Sequence, residues 1–457
     1  MTLPQTRSKR AAILFACVWC AYAVAPVSVQ GDSRWTVPTA LSFLHGQGGD
    51  LRAYLPALTA SAFYAIECVE SDHTRRFPIQ SSADCPSGRF YHFHPVAVAL
   101  LAMPFVAALE TGRHLAERPL AWLDRRIARP GLRALFAGDL AGASAIVENL
   151  ISAVFTAAAV AVLYLAALEF LPSGAALALA LIFAFGTLLW SLVSRALWQH
   201  SPSIFLNSLL ILLLLRAGQT RRAWLAIGFV LALAFFIRPS NAVTVLVIGA
   251  CLIVRLRARA LWVVAGGAPL TAAFILLNLH MYASPIAPFF WPVRAGASRL
   301  AFSPSIAAAL LGNLVSPARG LFVFMPFFLF LFVPQIWREP MPAPFARLRP
   351  WFCGLVGLYL LLVAMHTDWW GGFSYGPRYL SDVLPYLMFL WSPVLLWMAG
   401  RGRRAAVYAT LAISLVIQFR GATSIETHRW NSIPDNVSRH TSRIWDWTDP
   451  PFLRGLR

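Results

Sequence analysis

Residues 202–279 read PSIFLNSLLILLLLRAGQTRRAWLAIGFVLALAFFIRPSNAVTVLVIGACLIVRLRARALWVVAGGAPLTAAFILLNL. Four apolar runs lie in this stretch, at 202–215, 223–237, 241–254 and 260–279. They are divided by Arg216, Arg221 and Arg222, then by Arg238-Pro239-Ser240-Asn241, then by Arg255, Arg257 and Arg259. Runs approaching the roughly 20 apolar residues of a spanning helix, punctuated by arginine, are the signature of a chain that crosses a bilayer repeatedly.

The rest of the chain repeats this grammar. Of its 457 residues 58% are hydrophobic and only 12% charged, against about 25% charged in a soluble domain. Mean hydropathy is +0.64. The net charge of +19 does not point to nucleic acid. Lys9 is the only lysine, and many arginines sit in short clusters between apolar runs, which is the positive-inside pattern. Cys17 and Cys20 make a CxxC inside an apolar run and read as small core residues in preference to a redox pair, and Cys251 and Cys353 also fall in apolar runs. Cys68 and Cys85 share one polar loop, and could pair if that loop faces an oxidising compartment.

Arg7, Lys9 and Arg10 precede the run 11–29, read as an uncleaved first helix although Ala21-Tyr22-Ala23 resembles a cleavage site. A second span is expected from Pro95 to Leu109, and the arginine-rich stretch 113–133 (Arg113, Arg118, Arg125, Arg126, Arg129, Arg133) is assigned to the cytoplasmic side. Further runs cover 149–171, 174–193, 319–336, 351–365, 383–399 and 405–419. With Arg216/Arg221/Arg222, Arg255/Arg257/Arg259, Arg338/Arg347/Arg349 and Arg401/Arg403/Arg404 inside, the outer loops are 31–91, 238–240, 280–318, 366–382 and the tail 420–457. Three runs separate 113–133 from 216–222, which conflicts with both being inside; Ser194–Pro202 is expected to reach the outer side. The expectation is a single all-α polytopic domain over 1–457, a bundle of about 11–13 transmembrane helices. Short amphipathic helices are expected at Thr36–Leu44 and Leu51–Ala65 in the first outer loop.

Polar residues gather in those outer segments. They are Gly31-Asp32-Ser33-Arg34-Trp35, His92 and His94-Pro95, and Ser194 to His200. To these add Arg238-Pro239, Ser316 to Gly320, Trp369 to Tyr379 followed by Asp382, and Ile444 to Trp447. Singly each has an ordinary reading. Asp32 can be a helix-boundary acid, Arg238, Arg319 and Arg378 snorkelling residues, and the tryptophans an aromatic belt. Together they supply arginine forks that suit a phosphate, aromatic faces for a sugar or isoprenoid, and a carboxylate able to take a proton from a hydroxyl.

These motifs, in this order, resemble the bacterial membrane proteins grouped with the GT-C glycosyltransferases. The branch is that of the protein O-mannosyltransferases, the aminoarabinose transferases of lipid A and the Rgt-type core transferases. The resemblance runs from about residue 11 to the tail. It implies a GT-C-like helical bundle in the bacterial inner membrane, a polyprenyl-phosphate sugar donor and an active site facing the periplasm. It places an acid of the first outer loop at the acceptor, the position of Asp32. Many relatives carry two neighbouring acids there, whereas here the neighbour is Ser33, so no metal ligand is assigned and no cofactor is expected with certainty.

The sequence thus predicts an inverting glycosyltransferase with Asp32 as general base and Arg238 and Arg378 on the donor phosphate. Arg34, His94, His200, Arg319, Tyr375 and Asp382 are candidates for positioning substrate. The acceptor is a glycan, lipid or protein of the envelope. The competing classes are a transporter or lipid flippase, which should show related halves and mid-membrane ionisable groups, and an inactive structural relative.

Overall fold

The computed structural model describes the whole chain except residues 1–4, 58–62, 64, 78, 80, 116–129, 219, 288, 290–292, 295–296, 299–304, 399–400 and 457. It is 70% helical with almost no strand, an all-α polytopic membrane protein. Six stretches among the described residues are long and apolar enough to cross a membrane. One of them, Pro239–Tyr282, is 44 residues long and holds two helices separated at Arg257, which takes a positive φ of 52°.

The helices that position the site are α1 (Gln5–Ala23), α2 (Thr36–Leu44), α3 (Ala97–Leu115), α4 (Pro130–Ala137), α5 (Ser144–Ala167), α6 (Ser173–Phe185) and α7 (His200–Arg216). They are followed by α8 (Arg221–Ile237), α9 (Ala242–Leu256), α10 (Leu261–Tyr282), α11 (Ile306–Val315), α12 (Ala343–Met365), α13 (Leu384–Trp391) and α14 (Arg401–Thr423).

Contacts define two ends. At one, Gln30 donates to Ser144 and Glu148 at the start of α5, at 3.0 and 2.8 Å, and the Val29 N–H donates to the Arg195 carbonyl. At the other, Arg216 at the end of α7 pairs with Glu169, just past the end of α5, at 2.7 Å. So α5, α6 and α7 traverse the molecule three times, and Ser194–His200 lies at the Asp32 end.

Three runs therefore cross the molecule before Arg216, and Arg113 lies at the Asp32 end, not at the opposite side expected for it. Glu110 of α3 accepts from His45, at the close of α2, at 3.0 Å. The Arg113 side chain lies against Gly138, where a Cβ would come within 2.4 Å of its guanidinium, shortly before the chain enters α5 at Ser144. So α3 stays at the Asp32 end and is no second crossing; Arg118, Arg125, Arg126 and Arg129 lie outside the described residues. The physical reason is length: the apolar part of α3 is interrupted by Glu110 before it could cover a bilayer core of about 30 Å. Arginines at an interface keep their heads in water from either side.

The first loop also departs from helix. α2 forms where expected; of the stretch Leu51–Ala65, Arg52–Ala57 form a 3-10 turn, residues 58–62 and 64 lie outside the described residues, and a three-stranded antiparallel sheet follows. Its strands, β1 (Ile66–Val69), β2 (Arg75–Arg76) and β3 (Arg89–His92), run in the order β2-β1-β3, with Ile66 opposite His92 and Cys68 opposite Arg76. Cys68 and Cys85 are joined in a disulfide with Cα atoms 5.9 Å apart. Ile66, Cys68, Cys85 and Phe90 are buried under it. Periodicity does not announce strands this short.

Close helix packing holds the frame. α8 and α10 meet through glycine: a Cβ on Gly228 would come within 1.8 Å of the Val263 carbonyl, and one on Gly266 within 2.0 Å of the Leu225 carbonyl. Small residues let backbones approach where lipid leaves dispersion contacts as the main attraction. Elsewhere aromatic packing does the same, with the Phe345 and Phe389 rings stacked at 4.3 Å.

Candidate active site

Asp32 sits in the turn after α1. The His92 Nε2 of β3 donates to its backbone carbonyl at 2.9 Å, so the sheet holds this turn in place. The Asp32 carboxylate lies 3.8 Å from the Arg378 guanidinium, with side-chain exposures of 40% and 14%. Arg378 is flanked by the Trp198 and Tyr379 rings at 5.1 and 5.3 Å from their centroids. Its Nε is buried without a hydrogen-bond partner. Because that Nε is closed off, an oxyanion would meet the terminal nitrogens of this ring-packed guanidinium, of which Nη1 faces Asp32.

Tyr379 also faces Arg238, at 5.8 Å, and joins the pair to a deeper knot. Pro239 cannot extend α8, so the chain turns there and Arg238 points at Asp382, Nε to Oδ2 2.7 Å. His200 Nδ1 is 3.1 Å from the same carboxylate oxygen and 2.8 Å from Ser381 Oγ. Because the Ser381 hydroxyl donates to the Arg378 carbonyl at 2.7 Å, the His200 Nδ1 carries a proton. The Tyr359 hydroxyl lies 3.0 Å from Asp382 Oδ2 and 2.9 Å from Ser240 Oγ, and Asn207 donates to the Asp382 carbonyl at 3.1 Å. A fully buried carboxylate needs such a shell, because an uncompensated charge in low dielectric costs several kcal/mol.

The remaining candidates divide. His94 packs against the His92 and Phe289 rings, each at 5.2 Å, and reaches Gln199 at 3.4 Å. Gln199 in turn meets Arg238 at 3.5 Å. Arg34 is half-buried beside the turn, its N–H donating to Gly31 at 3.2 Å. Arg319 and Tyr375 do not join this cluster. Buried Arg319 donates to the carbonyls of Trp370, Ala318 and Gly372 and to Asn431 Oδ1, at 2.7–2.9 Å. Tyr375 donates to Ile417 of α14 at 2.7 Å. Both hold the 369–376 segment to its neighbours.

Electrostatics mark the sheet as well. Burial, with His94 beside it, pushes His92 down to about 3, so it is neutral and donates its Nε2 proton to Asp32. The Arg378 guanidinium stands 3.8 Å from Asp32, and the next residue in the chain is Ser33 and not a second acid. Among the described residues, the one triplet of side chains at metal-ligand spacing is Cys68, Glu70 and Cys85, and its two sulfurs are bonded to each other.

Two residues were missed by sequence reading. Tyr359 looked like part of an apolar run. Glu148 stands just past the first turn of α5, fully buried; an acid near the head of an apolar helix is its only signal.

The fold and this cluster define a polytopic membrane protein with a polar, arginine-bearing site at one end of its bundle. Residues 134–282 match the family model described as dolichyl-phosphate-mannose-protein mannosyltransferase. Within that segment the likeness seen in Ser194–His200 and Arg238-Pro239 holds, while the Asp32 motif precedes it, and the match supports a membrane glycosyltransferase that uses a lipid-linked sugar. The matched segment includes Glu148, His200 and Arg238 and ends before Arg378 and Asp382. A comparison with curated proteins finds no significant match.

Proposed function

We propose that this protein transfers a sugar from a polyprenyl-phosphate donor to a hydroxyl of a bacterial envelope acceptor. The reaction takes place on the periplasmic face of the inner membrane and inverts the anomeric carbon. The observation that carries the reading is the Asp32–Arg378 pair at 3.8 Å: a solvent-reachable carboxylate and an incompletely bonded guanidinium meet at one mouth. Asp32 takes the acceptor proton while the hydroxyl oxygen attacks the anomeric carbon. The bond to the phosphate oxygen breaks, and Arg378 stabilises the charge left on the phosphate, with Arg238 as the second guanidinium. His200 and Asp382 keep Arg238 in place, and His94 and Arg34 line the approach.

Two features support the periplasmic assignment. The Cys68–Cys85 disulfide lies in the loop that carries the site, as expected in an oxidising compartment. The arginine clusters at 216–222, 255–259 and 401–404 fall at the opposite ends of their helices.

The test is Asp32→Asn at normal membrane levels, assayed in lipid with polyprenyl-phosphate sugars. Transfer should fall by about 10²–10⁴, the usual worth of a general base, with donor binding retained. Full transfer of sugar to the acceptor by the variant, with release of polyprenyl phosphate, would remove Asp32 from this role.

A further inference from the structure

Glu148 is an acid in a helix otherwise rich in apolar residues, and it is fully buried. A carboxylate at that depth is costly and is retained for a reason. Its partners show what that reason is. Oε1 accepts from the Gln30 side chain at 2.8 Å and Oε2 from the Leu197 N–H at 3.2 Å. Gln30 stands two residues before Asp32, and Leu197 stands one before Trp198, the ring under Arg378. The next turn of α5 repeats the link, since Ser152 donates to the Val193 carbonyl at 2.8 Å. One face of α5 therefore ties the segment that carries Asp32 to the segment that carries Trp198, Gln199 and His200.

We propose that Glu148 is a positioning residue for sugar transfer: it fixes the separation between Asp32 and the arginine-lined phosphate site. The inference rests on the function proposed above. The two N–H groups come from different parts of the chain, and a carboxylate is the one side chain of this length that accepts from both. Glutamine keeps one acceptor oxygen and turns an NH2 toward a donor, so one of the two ties is lost with little change of volume.

The experiment compares Glu148→Gln, Asp32→Asn and the double variant in the same lipid reconstitution, reading kcat, KM for the donor and thermal midpoint. Glu148→Gln should lower kcat about 10- to 100-fold, the scale set by a misplacement near 1 Å, and leave donor KM and thermal midpoint unchanged. Added to Asp32→Asn it should cost nothing more, because a base that is absent cannot be misplaced. Gln30→Ala, which cuts the same link from the other side, should reproduce the kcat loss, and it serves in place of Glu148→Gln if that variant fails to reach the membrane. Wild-type kcat in Glu148→Gln, or a further loss on top of Asp32→Asn, overturns the proposal. If Asp32→Asn itself keeps full transfer, the base assignment fails and this inference with it; if only the Glu148 and Gln30 variants are silent, this inference alone fails.

Discussion

Arg319 and Arg378 stand at the same end of the bundle and both are largely withdrawn from water, yet they are used in opposite ways. Arg319 is enclosed by three backbone carbonyls and an asparagine oxygen. Arg378 leans on two rings, meets its acid only at 3.8 Å and leaves its Nε unfilled. Between these extremes lies Arg238, ion-paired to Asp382 at 2.7 Å but connected through Tyr379 to the open pair. Burial alone therefore does not identify a working arginine in a membrane protein. What separates them is whether the donors of the fork are already matched by the fold.

The sharpest way to break that distinction is at the matched, charged end. Asp382→Asn leaves Arg238 buried beside a neutral amide, and breaking a buried pair from one side costs about 3–5 kcal/mol. The expected result is a large fall in thermal midpoint and membrane level. Replacing both members, Arg238→Met with Asp382→Leu, should recover much of that stability while transfer stays lost. A stable Asp382→Asn protein would mean that the knot is as open as the Arg378 pair.

Arg378→Ala should do the reverse. Its fork has little to lose within the fold, so the thermal midpoint should move little. The rate should fall by about 10²–10³, as for a lost oxyanion donor, read as polyprenyl phosphate released per reconstituted protein. A large stability loss without a rate loss per folded molecule would place Arg378 with Arg319.

Much of this layout is legible in the sequence. Runs of apolar residues are local signals, and the clusters at Arg216–Arg222 and Arg255–Arg259 fixed the alternation of α7 to α10. Asp32 and Arg378 were placed on one face by counting ends, and they do meet. What escaped depends on contacts between distant residues. The side on which Arg113 lies is decided by Gly138 and by the Glu110–His45 bond, which no window of sequence contains. Whether Arg319 and Tyr375 face substrate or backbone depends on which carbonyls come near. Glu148 was passed over because its partners, Gln30 and Leu197, are far away in the chain. The strands β1 to β3 are too short to show a period.

The sheet side of the site offers a smaller effect. The Cys68–Cys85 link spans 17 residues, and closing a loop of that size is worth about 3 kcal/mol in the chain-entropy account. Cys68→Ser with Cys85→Ser should loosen β1 to β3, seen as faster amide exchange over 66–92, and lower transfer through the Asp32 turn that His92 holds. The bundle helices should be unaffected. Unchanged exchange over 66–92 would show that the sheet does not depend on its cross-link.

The smallest effect is expected from His92 itself. In the folded protein it stays neutral down to about 3, whereas in an unfolded chain histidine protonates near 6.5. Between those values the unfolded state binds the extra proton, so the stability this group contributes is complete above about pH 6.5 and declines as the pH falls toward 3. At pH 5 the loss is about 2 kcal/mol, from 1.36 kcal/mol per pH unit. His94 faces the same ring and adds repulsion once charged, while the Asp32 carbonyl on the other side favours the proton. His428 in the tail is also pushed down, to about 4, so global melting mixes the two. Amide exchange over 66–92 at pH 7 and pH 5, corrected for intrinsic rates, isolates the loop: protection should fall at pH 5, and His92→Gln should flatten that slope. An unchanged slope in the variant would assign the acid sensitivity to another group and free the Asp32 turn from control by the sheet.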